Sequence, residues 1–202
     1  LQMHFPDKPC HLVTHNVDRR LPAFVPPGDR LRIAYVGLRI NCRYSEGLSR
    51  LGEIVETPTS ESDDAWLGRL PEFNCHYALR RAEAMLELHP FLASPSGREL
   101  LNDAGGFFKF KPFTKGFTAA HCSVPILTER TESDAQFYLP EDYPFFLPSG
   151  AWNEVSDAIM RVREAFGGKA WQYALDVMRE LRDRSSSAHI ADEFEKMLAY
   201  YR

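Results

Sequence analysis

The chain has 202 residues, of which 44% are hydrophobic, and a formal net charge of −4 at neutral pH. This length fits one domain with or without a short appendage, and the hydrophobic content excludes a disordered chain. The acidic balance excludes a broad basic surface that would attract nucleic acid or anionic lipid without specificity, so any site for a phosphate group has to be local.

The four cysteines, Cys10, Cys42, Cys75 and Cys122, are far apart in the sequence and form no CxxC pair. Three of them stand in apolar stretches, where a free thiol packs as a small hydrophobe. This pattern favours the cytoplasm over a secreted disulfide scaffold. No apolar run approaches the roughly 20 residues that cross a bilayer, so no transmembrane segment is expected.

The first 30 residues are rich in proline and poorly periodic, and we interpret them as an extension with one short strand at residues 12–14. The run 31–37 is almost continuously apolar and ends in glycine, which predicts a buried parallel strand. Four more strands are expected at residues 53–56, 73–79, 124–127 and 143–147. Helices are expected after a cap at Ser60 and at residues 81–89, 114–123 and 132–138. This alternation predicts an α/β fold with a Rossmann-like parallel sheet flanked by helices.

The last third of the sequence contains three amphipathic helical patterns. The first is expected to be capped by Ser149 and to end at Gly167-Gly168. Its apolar face consists of Trp152, Val155, Ile159, Val162 and Phe166. The second carries its apolar side chains at Trp171, Ala174, Leu175, Met178 and Leu181. The third is expected to open at Ser185 or Ser186. We therefore divide the chain into an N-terminal extension (1–30), a sheet domain (31–148) and a helical segment (149–202).

The segment 109–127 is the most informative for chemistry. Three lysines stand within seven residues of an otherwise acidic chain, and Pro112 then precedes a helix of small residues. The first N–H groups of a helix have no partner within it, and the helix dipole places about half a positive charge there. With the hydroxyl of Thr114 and the charges of Lys111 and Lys115, this helix start suits a phosphate group. A solvated basic turn is the alternative, which composition alone leaves open.

This segment resembles the nucleotide-sugar-binding motif of group 1-like glycosyltransferases with the GT-B fold, in the letters KPFTK (111–115) and AAHCSVPIL (119–127). In that family a KPxxK start, a small-residue helix and a CGVPVI-like strand are typical. The first strand and the three final helices are also similar to the family, so the resemblance covers roughly residues 31–202. The chain departs from it at Phe110 and Thr118, where many members carry two glutamates, and at Ser123, which replaces the usual glycine.

The resemblance implies the donor-binding half of a glycosyltransferase, an enzyme that transfers a sugar from a nucleotide-diphosphate sugar to an acceptor. Lys111, Thr114 and Lys115 would hold the diphosphate. Further contacts to the donor are expected from five residues at the same sheet edge: Arg39, Arg80, Thr118, Glu129 and Asp134. No metal and no cofactor would be needed, and no catalytic residue is assigned.

Most of the facing acceptor-binding domain of that family has no counterpart in these residues, and residues 1–30 are either an extension or a remnant of that domain with its linker. Because the first residue is Leu1, we expect a piece of a longer enzyme, or else a chain that assembles with a second copy. Two alternatives stay open. One is a nucleotide-sugar-binding or protein-interaction module without catalysis, and the other is a nucleotide-sugar epimerase. A metal site at His11 and His15 is disfavoured because the residues between them look extended.

Overall fold

The computed structural model describes residues 14, 17–21, 29–51, 53–57, 64–79, 112–130, 134–147 and 151–201. Five strands lie in this part of the chain: β1 (Ile33–Val36), β2 (Glu53–Val55), β3 (Cys75–Tyr77), β4 (Ile126–Glu129) and β5 (Phe146–Leu147). They form one parallel sheet in the order β2-β1-β3-β4-β5. The expected fold class, an α/β fold with a parallel sheet flanked by helices, is confirmed.

Helices alternate with the strands and then complete the chain. They are α1 (Ser45–Leu51), α2 (Ala65–Arg69), α3 (Thr114–His121), α4 (Ala135–Tyr138), α5 (Trp152–Ala165), α6 (Lys169–Arg184) and α7 (Ser187–Tyr200). Short 3-10 turns lie at Arg39–Asn41 and Leu70–Glu72. Within the described ranges, no helix has the length and apolar character needed to cross a membrane.

The centre of the sheet is buried because its strands are apolar on both faces. All four residues of β1 are buried, and β1 pairs with β2 on one side and with β3 on the other. The side chain of Asn74 joins the starts of β1 and β3. Its Oδ1 accepts a hydrogen bond from the Arg32 N–H at 2.8 Å, and its Nδ2 donates to the Arg30 carbonyl at 2.8 Å. These polar bonds fix the two central strands side by side.

The fifth strand is shorter than expected, since β5 covers only the end of the apolar run 143–147. Tyr143, at the start of that run, pairs with the sheet through its side chain instead of its backbone. Its hydroxyl accepts from the Ile126 N–H at 2.9 Å and donates to the Ile126 carbonyl at 3.0 Å. The buried phenol therefore replaces a strand neighbour at the beginning of β4.

Tyr143→Phe is expected to lower the free energy of unfolding by about 1 to 3 kcal/mol, because both buried backbone groups of Ile126 lose this partner. Urea unfolding followed by circular dichroism measures the change. Tyr173→Phe is the matched control, since it removes an exposed hydroxyl that donates to Asp142 at 2.8 Å. The control is expected to change stability by less than about 0.5 kcal/mol. Equal effects of the two variants would contradict the structural role of Tyr143.

The start of α5 differs from expectation. The helix begins at Trp152 with Ala151 in the N-cap position, so the cap expected at Ser149 is wrong. Val155 and Ile159 of its expected apolar face are buried. Trp152 is 39% exposed, however, because the first turn of α5 passes over α1 instead of the sheet.

Two other helix starts were also anticipated from capping residues. Helix α2 begins at Ala65, so the cap expected at Ser60 is wrong. Helix α7 has the expected cap, because the Ser186 hydroxyl accepts a hydrogen bond from the His189 N–H at 3.3 Å. The helix expected at residues 81–89 lies outside the described residues.

Part of the expected extension packs on the last helix. Thr14 is buried, and its N–H and hydroxyl donate to the two carboxylate oxygens of Glu193 in α7, at 2.7 and 3.0 Å. Val17 and Leu21 belong to the buried core. Thr14 is not in a strand, and residues 12 and 13 of the expected strand lie outside the described part of the chain.

Candidate functional site

The strand order reverses between β1 and β3. After β1 the chain places β2 on one side of it and β3 on the other. At such a point the connections that leave the carboxyl ends of the two central strands run in opposite directions, and a crevice opens between them. Open α/β sheets bind their ligands in this crevice. The side chains at the carboxyl ends of β1, β3 and β4 therefore form the candidate site.

Lys115 reaches this crevice from the first turn of α3. Its ammonium donates a hydrogen bond to the carbonyl of Val36, the last residue of β1. The same nitrogen lies 4.0 Å from the ring centroid of Tyr35, which is cation–π geometry. The side chain is half-buried. These two contacts fix a positive charge at the carboxyl end of the central strand.

Gly37 leaves the room that this lysine needs. A Cβ on Gly37 would lie 2.9 Å from the Lys115 Nζ and 3.0 Å from the Cε1 of Tyr35. The φ angle of Gly37 is +152°, which residues with a side chain rarely adopt. The glycine that ends the first apolar run thus has a structural reason, namely the close approach of a cation to the backbone at the end of β1.

The hydroxyl groups of Thr114 and Thr118 bond to backbone carbonyls within α3 or just before it. The Thr114 hydroxyl donates to the Pro112 carbonyl at 3.3 Å, and the Thr118 hydroxyl donates to the Thr114 carbonyl at 2.9 Å. Thr114 is exposed at the open edge, and Thr118 is half-buried one turn later. A phosphate group at this helix start would have to replace the Thr114–Pro112 bond, while Thr118 offers no charge to a ligand.

Arg43 and Glu129 form an ion pair across the same edge, with Arg43 Nη1 3.0 Å from Glu129 Oε1. The backbone of Arg43 is fixed to the end of β3, since its N–H donates to the Leu79 carbonyl at 3.1 Å and its carbonyl accepts from the Tyr77 hydroxyl at 3.3 Å. Burial raises the pKa of Tyr77, which keeps that hydroxyl protonated. The structure thus adds to the site a guanidinium that the sequence analysis missed.

The expected cation Arg39 lies on the β2 side of the crevice. Its side chain is 63% exposed and its Nε is 3.6 Å from the Glu56 carboxylate, which follows β2. Burial raises the pKa of the Cys42 thiol to about 12, and the positive charges of Lys115 and Arg39 oppose this rise. A signal for Arg43 was present in the sequence, because it is the next basic residue in the loop that leaves β1.

Asp134 lies at the start of α4, where burial raises the pKa of its carboxyl group. Burial, together with the charge of Asp134, raises the pKa of Tyr138, whose ring packs on Phe117 of α3 at a centroid distance of 4.8 Å. Asp134 therefore lies near the contact between α4 and α3. Arg80 and Lys111, two further expected contacts, lie outside the described residues, so their roles stay predictions.

A buried histidine lies on β3, next to the site in the sheet. His76 is 2% exposed, and its Nε2 has no hydrogen-bond partner among the described residues. Burial, together with the charge of Lys115, lowers the pKa of His76 to about 3. The imidazole is therefore neutral at physiological pH, and it lies close enough to Lys115 to respond to the charge there.

Across the described ranges, no group of three or more His, Cys, Asp and Glu side chains is arranged to hold a metal ion. Cys42, Cys75 and Cys122 are buried free thiols. The described residues at the crevice supply an ammonium, a guanidinium with its carboxylate, and a helix start. Comparisons of the chain with protein-family models, curated proteins and solved structures found no significant match.

Proposed function

We propose that the crevice between β1 and β3 binds the diphosphate of a nucleotide sugar, and that the chain is the donor-binding half of a cytoplasmic glycosyltransferase. The observation that carries this proposal is the position of the Lys115 ammonium at the end of β1, on the Val36 carbonyl. The start of α3 and the side-chain-free backbone of Gly37 meet at the same point. Such convergence of a cation, a helix start and a glycine suits an anionic group.

The second cation of the proposed site is Arg43. Its backbone is bonded to the end of β3, and its guanidinium pairs with Glu129, which a phosphate would have to replace. A guanidinium binds two phosphate oxygens at once, which an ammonium does not. Glu129, once Arg43 turns to a phosphate, is left to accept hydrogen bonds from hydroxyl groups of the ribose or the sugar.

The proposed chemistry is stabilisation of a leaving group. Negative charge grows on the diphosphate as the bond between it and the sugar breaks. Fixed cations favour this charge-separated state more than the ground state, and this difference lowers the barrier. The group that activates the acceptor would come from a facing domain or from a second copy of the chain.

A binding module without catalysis is the second candidate. The observation that favours it is Thr118, which stands where a donor-contacting glutamate is typical of the resembling family. Its hydroxyl donates to the Thr114 carbonyl and carries no charge. Such a site would hold the diphosphate but would lack the donor contact that a glutamate at position 118 makes in the resembling family.

Isothermal titration calorimetry with UDP, GDP and dTDP tests the binding claim, and product analysis with the matching nucleotide sugars tests transfer. Binding of one nucleotide diphosphate, with release of its sugar to an acceptor or to water, supports the glycosyltransferase. Binding without any turnover favours the second candidate. No binding at millimolar concentration of any of the three would contradict both.

Arg43→Ala is expected to weaken the binding of that nucleotide diphosphate by about 3- to 10-fold, because a charge-assisted contact is lost and the Glu129 carboxylate remains near the phosphates. Adding Glu129→Gln to this variant should recover part of the loss, since it removes the repulsion. Arg179→Ala, at an exposed arginine that pairs with Asp176 on α6, is the control and should bind normally. A dissociation constant for Arg43→Ala equal to that of the control would exclude Arg43 from the site.

A further inference from the structure

A cavity lies between α1 and the first turn of α5. Its volume is about 450 Å³, within the range of pockets that hold small ligands. It is lined by Tyr44, Ser45, Glu46, Gly47, Arg50 and Trp152. One of the lining residues, Tyr44, directly follows Arg43 of the candidate site in the sequence. None of these residues except Trp152 belongs to a pattern that the sequence analysis used.

The indole of Trp152 is held as a fixed wall of this cavity. One side of the ring lies on Gly47, where an added Cβ would overlap it. Its centroid is 5.2 Å from that of the Tyr44 ring, with a tilt of 57° between the two planes. Tyr44 itself has a φ of +59°, an uncommon value for a residue with a side chain. The wall is nevertheless 39% exposed, an unusual position for a large aromatic side chain that is held on two sides.

This geometry selects among ring-shaped ligands. The Tyr44 and Trp152 rings are already in mutual contact, within the range of about 4.5 to 7 Å for aromatic pairs, so no planar base can insert between them. The cavity offers one aromatic face instead of a sandwich. Its other walls supply the Ser45 hydroxyl, the Glu46 carboxylate and the Arg50 guanidinium. A sugar ring matches both features, since it has an apolar C–H face and a rim of hydroxyl groups that donate and accept hydrogen bonds.

We propose that this cavity binds a hexose ring, with its C–H face on Trp152 and its hydroxyl groups on Glu46 and Arg50. The assignment deepens the proposed function and rests on it for the choice of a sugar. The ring can belong to the nucleotide-sugar donor or to the acceptor, because the same contacts recognise both. Because Tyr44 directly follows Arg43 in the sequence, the proposal directs the sugar of a donor whose diphosphate lies in the crevice toward this cavity.

The test compares the wild-type chain with Trp152→Ala and Gly47→Ala by saturation-transfer NMR and calorimetry. The probes are UDP, GDP, UDP-glucose, GDP-mannose, free glucose, free mannose and maltose. Trp152→Ala removes the wall, and Gly47→Ala displaces it without removing an aromatic group. Tyr200→Ala, at a tyrosine that is 65% exposed on α7, is the matched control. Circular dichroism shows whether each variant is folded, and Arg50→Ala, which removes an exposed guanidinium of the same cavity, replaces any variant that is not.

If the ring belongs to the donor, a nucleotide sugar should bind about tenfold more tightly than its nucleotide diphosphate, and both cavity variants should abolish this difference. If it belongs to the acceptor, a free sugar should bind the wild type and the control but neither cavity variant. The proposal is overturned if no sugar-containing probe distinguishes the wild type from the cavity variants. If the binding of a free sugar requires Trp152 and no nucleotide diphosphate binds, the proposed function is contradicted and the assignment of this cavity to a sugar stands. If a nucleotide diphosphate binds and Trp152→Ala changes the binding of no sugar-containing probe, the cavity assignment is contradicted and the proposed function stands.

Discussion

Lys115→Ala is expected to weaken the binding of the preferred nucleotide diphosphate by about 10- to 100-fold, because a charge-assisted hydrogen bond is worth about 1.5 to 3 kcal/mol. The ammonium is already fixed at the end of β1 by the Val36 carbonyl and the Tyr35 ring. The Lys115 side chain therefore loses little conformational entropy when it binds a phosphate oxygen. Titration calorimetry with UDP, GDP and dTDP measures the dissociation constants of the variant and the wild type.

The control for this variant is Lys169→Ala. Like Lys115, Lys169 is a lysine in the first turn of a helix, but its side chain is exposed at the start of α6. Its removal should leave the dissociation constant within about twofold of the wild type, as expected for an exposed charge remote from the ligand. Thermal unfolding of both variants separates lost binding from lost folding. Equal effects of the two substitutions would mean that any lysine contributes through net charge, and the site at α3 would be rejected.

His76→Leu is expected to change the pH dependence of folding stability. The pKa of His76 is about 3 in the folded chain and 6.5 in a model peptide, so the unfolded state binds a proton at pH values where the folded state does not. The contribution of His76 to stability is complete above pH 6.5 and is lost as the pH falls toward 3. At pH 4.5, two units below the ordinary value, the loss amounts to about 2 to 3 kcal/mol.

Urea unfolding at pH 7 and pH 4.5 measures this effect. The wild type also loses stability at acid pH through its carboxylates, so the informative quantity is the difference between the wild type and His76→Leu at each pH. That difference should shift in favour of the variant by about 2 to 3 kcal/mol on acidification. Parallel stability curves for the wild type and His76→Leu would contradict the burial of a neutral imidazole on β3.

The sheet was largely predictable because burial on both faces leaves a direct mark on the sequence. The apolar run 31–37 became β1, and its final glycine lies where the strand ends. The amphipathic patterns of α5 and α6 were equally informative, since residues such as Ile159 and Met178 repeat at helical spacing and are buried. In both cases the pattern depends on one element and its burial, not on a distant partner.

The features that sequence reasoning missed depend on contacts between distant segments. Tyr143 was expected in a strand, but its hydroxyl bonds to Ile126 in place of the backbone. Trp152 was expected in the core, but it lies on Gly47 of α1. No periodicity within a single segment encodes either contact. An aromatic residue looks the same in the sequence whether it fills the core or forms an exposed wall.

The choice between Arg39 and Arg43 shows the same limit within the site. Both arginines follow the first strand, and the sequence alone favours Arg39 because it is nearer to the end of that strand. The 3-10 turn at Arg39–Asn41 reverses this order, because it leaves Arg39 on the β2 side and brings Arg43 to the end of β3. Lys115 was identified correctly as a cation at the start of α3, yet its contact with Val36 required the fold.

The most direct test of the central claim is a crystal structure of the chain with the best-binding nucleotide diphosphate at saturating concentration. The expected result is a diphosphate at the carboxyl ends of β1 and β3, with a phosphate oxygen about 2.7 to 3.2 Å from the Lys115 ammonium and the N–H groups at the start of α3 facing the phosphates. A diphosphate bound at any other place, with the Lys115 side chain still confined to Val36 and Tyr35, would contradict the claim.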